Sequence, residues 1–371
     1  MVMNTLENCG GYLLLENSMR EAAHTIATNI ACLKEDFNVL IICGLHSKTL
    51  AEHITLESYA VGAYPYLWVF DDAVYLKQAK IPPENVIRVL PKHVRSLLLD
   101  SDLIIWLSQF GDLRKLSKNV KNAMFFFWDS VDEAIRTKPR LYVNLLSAAC
   151  VENMEIDYEK YLQSFVNAVN VDYEKIREIG TFIASKLHGK SVVHVYDSKG
   201  TDLTFSIKNR PIGIEAGTLE DCFSSGKECA VDVPGGEVYV TPIETSANGV
   251  LVVDEFRDYK IQNLELRFRE GKVENFKAER GSEVFRKLLD KAEGDKDRIA
   301  ELGIGINYGV RLTGYRIYDE KALGTAHIAI GNNVHLGGTN KASIHWDFVL
   351  HSPTIEVDDT PLMKKGKIMT A

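Results

Sequence analysis

The residues best able to do chemistry lie in four short stretches of the C-terminal half: PGGEVYV, RIAELGIG, DEKALGTAHIAIG and SIHWDFV. In the last, His345 and Asp347 flank Trp346. The two-residue period of a strand puts His345 and Asp347 on one face and Trp346 on the other. One imidazole nitrogen and one carboxylate oxygen then face a single point, and burying that pair demands a metal, another cation or several donors. Glu237 follows Gly235 and Gly236, which allow a tight turn into the strand VYV. Alone, it reads first as a solvated turn residue. Glu301 stands at the edge of an apolar run too short and glycine-rich for a helix. A carboxylate buried there needs a partner or serves as a ligand. His327 lies among small and apolar residues on an expected short helix, where a hydrogen-bonded core histidine is the alternative. Together Glu237, Glu301, His327, His345 and Asp347 form an N/O donor set suited to Zn²⁺, Co²⁺ or Mn²⁺. They suffice for one ion, or for two about 3.5–4 Å apart sharing a bridge, an arrangement that recurs in metal-dependent hydrolysis. A lone Fe(II) on His327, His345 and Asp347 is the competing arrangement.

The elements that must carry these residues change character along the chain. From Asn38 to Cys43 runs a continuous apolar strand ending at Gly44, as buried parallel strands do. Helical spacing is expected over 12–35, Ser47–Gly62 and LPKHVRSLLLDS, with further strands at Tyr66–Phe70, Asp102–Trp106 and Asn122–Trp128. This alternation predicts an open α/β sheet of Rossmann type. The first strand is followed by CGLHSKT rather than a Gly-x-Gly-x-x-Gly turn, which disfavours a dinucleotide. Residues 150–190 read as helical. Beyond them come β-type segments: a hairpin turning at Lys199–Gly200, then GEVYVTP, GVLVVDEF and LELRFREGKVENFKA, which turns at Glu270–Gly271. Helices are expected at Ser282–Lys291 and around Glu320–Ile330. The organisation expected is therefore α/β: a Rossmann-like domain with a helical connector over 1–189, and a β-rich α+β metal-binding domain over 190–371.

Composition excludes several classes. The 371 residues carry a net charge of −8 with acidic and basic residues interspersed, so no basic stripe marks a nucleic-acid partner. No run approaches the ~20 apolar residues of a membrane span. The N-terminus lacks the basic start and small-residue cleavage site of a signal peptide, so a cytoplasmic protein is expected. Six cysteines are scattered without a Cys-x-x-Cys pair, and reduced thiols are the expectation. Cys222 and Cys229 flank SSGKE as the one pair near enough in sequence to consider for bridging.

The order PGGEVYVTP, RIAELGIG, DEKALGTAHIAIG and SIHWDFV resembles the thermophilic-type metalloaminopeptidases, the aminopeptidase T and aminopeptidase S family, over most of residues 230–360. The connecting TPIETSANGVLVVDEF and LELRFREGKVENF agree with it. The resemblance implies removal of N-terminal residues from small peptides, a homodimer, and a Rossmann-like N-terminal domain. It places the metal carboxylates on Glu237 and Glu301, the histidines on His327 and His345, and the aspartate on Asp347. Two positions depart. The family's tyrosine seven residues after the first histidine is Val334 here, with Asn332, Asn333 and His335 beside the gap and Tyr308 and Tyr315 nearby in sequence. The family's acidic residue five before that histidine is Ala322, so Glu320 takes the role of general base or amine contact only through a local gap. A second resemblance is to the 2,5-dihydroxypyridine ring-cleaving dioxygenases, which hold one Fe(II). Their later ligand pair falls on His345 and Asp347, but their first histidine falls on Glu301. Glu237 and Glu301 together set this sequence nearer the peptidases.

Overall fold

The computed structural model describes residues 16–71, 91–108, 111, 130–131, 133–220, 223 and 229–369. The strand expected at 122–128 and Cys222 lie outside these residues. Contacts divide the chain into two compact units, Met1–Asn153 with Gly217–Pro234, and Met154–Ala216 with Gly235–Ala371.

The first unit is built on a parallel sheet of β1 (Asn38–Gly44), β2 (Tyr64–Phe70), β3 (Leu103–Leu107), β4 (Arg140–Val143) and β8 (Ala230–Val233), in the order β2-β1-β3-β4-β8. All but the first residue of β1 is buried, which is why its sequence is apolar without alternation. The helix Lys48–Val61 leaves β1 and ends at Gly62, whose φ of +88° suits a residue without a Cβ. Leu40, Ile42, Leu98, Ile104, Val131 and Ile135 pack as one buried cluster beside this sheet. Cys43, on β1, has its thiol pushed up to about 11 by burial. Cys43 and Cys150 are free thiols, whereas Cys229 is disulfide-bonded, against the expectation of reduced thiols throughout.

The second unit has two antiparallel sheets and several helices, of which a consecutive pair precedes the sheets in the chain. Asp157 and Asp172 cap the helices Tyr158–Val169 and Tyr173–Leu187, their carboxylates accepting from Lys160 N and from Glu174 N and Lys175 N. The second helix packs on β7 (Ile212–Glu215) and β9 (Glu237–Val240). The 1–189 connector helices thus belong with the β-rich part, and the expected boundary near residue 190 falls inside this unit. An eight-stranded sheet has β5 (Val192–Tyr196), β6 (Asp202–Ser206), β10 (Asn248–Phe256), β11 (Ile261–Arg269), β12 (Lys272–Arg280), β16 (Thr354–Val357), β17 (Thr360–Lys364) and β18 (Lys367–Ile368). A five-stranded sheet has the order β15-β14-β13-β9-β7, with β13 (Ile299–Gly305), β14 (Ala326–Gly331) and β15 (His345–Leu350). Every residue of β13 and β14 is buried. The helix expected around Glu320–Ile330 is not formed. Only Arg316–Asp319 is helical, and His327 lies on β14. A strand covered on both faces needs small and apolar side chains throughout, so AHIAIG shows no period-two alternation to read. Among the described residues, no helix is long and apolar enough to cross a membrane.

Candidate metal centre

Strand register brings the five candidate ligands to one face of the five-stranded sheet. Residues opposite one another on antiparallel strands share a face. Glu301 of β13 stands opposite Ala329, and Ala329 opposite Asp347 of β15. Gly303 stands opposite His327 and Tyr239, Gly305 opposite Glu237, and Gly331 opposite His345. The long polar side chains are thus interleaved with residues too small to fill the space between them. At Gly303 an added Cβ would lie 2.0 Å from His327 Cε1, so the imidazole occupies the space that a side chain would need. Trp346 points the other way and meets Phe256 and Phe285 at 6.1 and 5.9 Å between ring centroids.

The ligand atoms converge in two overlapping triads, Glu237–Glu301–His327 and Glu301–His345–Asp347, each with its atoms within 4.8 Å of one another. His345 Nε2 is 3.1 Å from both Glu301 Oε2 and Asp347 Oδ1. His327 Nε2 is 3.6 Å from Glu237 Oε2 and 3.6 Å from Glu301 Oε1. Such separations suit donors around an ion bound at about 2.0–2.2 Å. His345 Nδ1 lies 2.6 Å from the Asn332 carbonyl, so it carries the proton and donates, leaving Nε2 directed at the carboxylates. Glu237 Oε2 is buried with no hydrogen-bond partner among the described residues. A buried carboxylate oxygen without a donor, facing an imidazole, is one that a bound cation would satisfy. The residues therefore fit a divalent metal.

Two cations brace the cluster from one segment. Arg316 NH1 donates to Asp347 Oδ2 at 2.7 Å and to Glu320 Oε2 at 3.1 Å, and its Nε donates to Asp258 at 3.2 Å. Lys321 Nζ lies 2.7 Å from Glu237 Oε1, 3.5 Å from Glu320 and 3.9 Å from Glu215. The segment is anchored by Tyr318, stacked on Tyr161 at 4.9 Å, and by Asp319, which accepts from Thr313 N and Gly314 N. The Asn307 N–H donates to the Lys321 carbonyl at 2.8 Å, and a Cβ at Gly305 would collide with Ala322 O. Neither Arg316 nor Lys321 stood out in the sequence. The legible signal was a basic residue on either side of an acidic one in RIYDEK, next to a candidate histidine.

The electrostatics follow from this crowding. Burial would raise the Glu301 carboxyl, but the two histidines outweigh it and hold it at about 2. Burial likewise opposes ionisation of Asp347, yet His345 and Arg316 keep it well below the usual carboxylate range. Burial would depress both imidazoles. The Glu301 carboxylate, with Glu237 and Asp347, instead lifts His327 to about 9, and Asp347 with Glu301 lifts His345 to about 11. Glu320 goes the other way: burial, with Asp347 nearby, raises it to about 7 against the pull of Lys321 and Arg316.

The sequence expectations around Val334 resolve as follows. Val334 is 48% exposed, in the short turn Val334–Leu336. Asn333 is committed to its loop, donating to Ala300 O and accepting from Asn340 N, and Asn332 donates to Ala342 O. His335 has its ring 5.5 Å from that of His345, whose Nδ1 donates to the Asn332 carbonyl. The Tyr308 hydroxyl accepts from Asp172 N, and Tyr315 is buried against Tyr161 and Tyr318. With Val334 this exposed, Val334→Tyr is expected to fold and to change stability by no more than ~0.5 kcal/mol. A thermal melt showing a large loss would mean the turn is packed in solution.

Comparison with known proteins places the chain. It is 24% identical over 239 residues to aminopeptidase AmpS of Bacillus subtilis (strain 168), covering 58% of this chain and 55% of that one, so it spans about half the length of this relative. The fold is similar to that of AmpT from Thermus thermophilus, with a TM-score of 0.74 at 18% identity over 95% of this chain and 99% of the other. It is also similar to that of 2,5-dihydroxypyridine dioxygenase from Pseudomonas putida KT2440, with a TM-score of 0.64 at 14% identity over 95% and 97% of the two chains. Residues 155–369, which hold all five ligand candidates and both bracing cations, match the thermophilic metalloprotease (M29) family, and the chain belongs to it.

Proposed function

We propose that this protein is a metal-dependent aminopeptidase that removes N-terminal residues from small peptides at a site for two divalent ions, with Glu301 as the shared ligand. The observation that carries the reading is the pair of triads joined at Glu301. Charge supports two ions over one. The linked network has the carboxylates of Glu215, Glu237, Asp258, Glu301, Glu320 and Asp347 against the cations of Arg316 and Lys321. With neutral imidazoles that leaves an excess of three or four negative charges, depending on whether Glu320 is protonated, which is more than one divalent ion balances. When bound, such ions supply Lewis-acid polarisation of the scissile carbonyl.

The chain's own residues do the rest. Glu237 and His327 hold one side, His345 and Asp347 the other, and Arg316 and Lys321 keep the outer carboxylates from turning away. Glu320, between the two cations, is the candidate general base or amine contact. Zinc, cobalt or manganese, a homodimer and a Rossmann-like first sheet belong to the same reading. The competing arrangement, one Fe(II) on His327, His345 and Asp347, leaves Glu301 buried beside imidazoles already committed to that ion, and Glu237 with only the Lys321 ammonium.

Metal analysis of protein purified anaerobically, paired with a panel of aminoacyl amides and short peptides, tests the proposal. The expected result is two zinc, cobalt or manganese ions per chain and release of the N-terminal residue. One iron per chain with no amide cleavage would overturn it.

A further inference from the structure

The two triads share Glu301 and look alike by ligand count, yet their surroundings differ. On one side, His345 is fixed in tautomer and orientation by the Asn332 carbonyl at 2.6 Å. On the other, His327 Nδ1 is buried with no hydrogen-bond partner among the described residues. Groups that hydrogen-bond to a metal's ligands typically change affinity by about 10–100-fold.

The bracing cations differ too. Arg316 spreads its charge over three carboxylates at 2.7, 3.1 and 3.2 Å, a fixed fork that orients Asp347 without resting on it alone. Lys321 lies 2.7 Å from Glu237, but 3.5 and 3.9 Å from its other acidic neighbours. Its ammonium is a point charge, and the nearest of these three carboxylates is that of a ligand. An incoming dication at Glu237 therefore meets a resident cation already paired with the carboxylate it needs. Lys321 is almost fully buried, so solvent screens this repulsion poorly.

From these differences, and resting on the metal-dependent reading above, we infer that the two halves of the centre are unequal by construction. Glu301, His345 and Asp347 hold one ion tightly. Glu237, Glu301 and His327 hold the other exchangeably, and Lys321 is the positioning residue that keeps that second half weak. Occupancy of the second half then follows the free metal concentration, while the first half stays filled.

The test is titration of the metal-stripped full chain with zinc, followed by calorimetry and by equilibrium dialysis with metal analysis, on wild type, Glu237→Gln, Asp347→Asn and Lys321→Met. Circular dichroism confirms folding, and His345→Gln replaces Asp347→Asn if that variant does not fold. Wild type is expected to show two classes of site separated by at least about 10-fold. The tight class survives Glu237→Gln and is lost in Asp347→Asn. Lys321→Met tightens the weak class about 10-fold and leaves the tight class within about 3-fold. Two equal sites, a tight class lost in Glu237→Gln but kept in Asp347→Asn, or a weak class that Lys321→Met fails to tighten would each overturn the inference while leaving the metal reading standing. A single equivalent in wild type supports it if Lys321→Met brings in a second ion, and overturns it otherwise. No zinc bound by wild type under any condition would instead remove the metal reading itself.

Discussion

Glu301→Gln is expected to lose both ions together and to lower aminopeptidase turnover by more than about 10³-fold, because several kcal/mol of Lewis-acid stabilisation disappear with the metals. No other ligand belongs to both triads. Glutamine keeps the volume of the side chain, so β13 has no packing reason to rearrange. Its amide offers one neutral oxygen where two anionic ones stood, one toward each histidine. His345→Ala and Asp347→Asn strip ligands from one side only and are expected to abolish activity with the fold intact. Metal content per chain and turnover, measured on the same preparation, check this. A Glu301→Gln protein retaining two ions and near wild-type turnover would show that the bridge lies elsewhere.

The second large effect is expected at a residue with no functional group. Gly303→Ala adds a Cβ that would fall 2.0 Å from His327 Cε1 and 2.2 Å from its Nε2. Real contacts do not approach so closely, so either the ring or the strand must move. The strand is poorly placed to move, because β13 is flanked by β9 and β14 and all of its residues are buried. The imidazole yields, and its Nε2 leaves the position it holds between Glu237 and Glu301. Overpacking of this kind costs about 1–3 kcal/mol, so the melting temperature should fall by several degrees. Zinc bound through His327 should weaken by about 10²-fold, more than a change to an outer partner achieves. An alanine variant with wild-type zinc affinity would mean that His327 is not a ligand.

These two residues show which parts of the site were legible beforehand. His345 and Asp347 could be placed on one face because a strand's period is two and Trp346 between them demanded the opposite, apolar side. His327 reads as helical because Ala326 and Ala329 hide alternation in a strand buried on both faces. Gly303 and Gly305 read as mere helix breakers, because what they make room for comes from β14 and from the Lys321–Ala322 backbone. Arg316 and Lys321 were passed over for a related reason. An ion pair between Arg316 and Asp347 is closed by folding across 31 residues, which local spacing cannot show. In the fold, β1, β2 and β3 of the first sheet and the helices Lys48–Val61 and Lys92–Asp100 were legible as apolar runs and spaced apolar faces, whereas β4 and β8 were not. The division near residue 190 was drawn from a change in composition, whereas the contacts follow β8, whose pairing with β4 is non-local.

That pairing has a consequence for the order in which the protein is made. β4 ends at Val143, and its partner β8 begins at Ala230, with two helices and three strands of the second unit between them. At about 5–20 residues per second, the ribosome needs roughly 4–17 s to deliver the missing strand. Through that interval β4 presents an open parallel edge, the kind of surface on which nascent chains pair with the wrong neighbour. The first unit is thus begun first but cannot be finished until Met154–Ala216 of the second has emerged, so the two are synthesised as interleaved rather than successive domains.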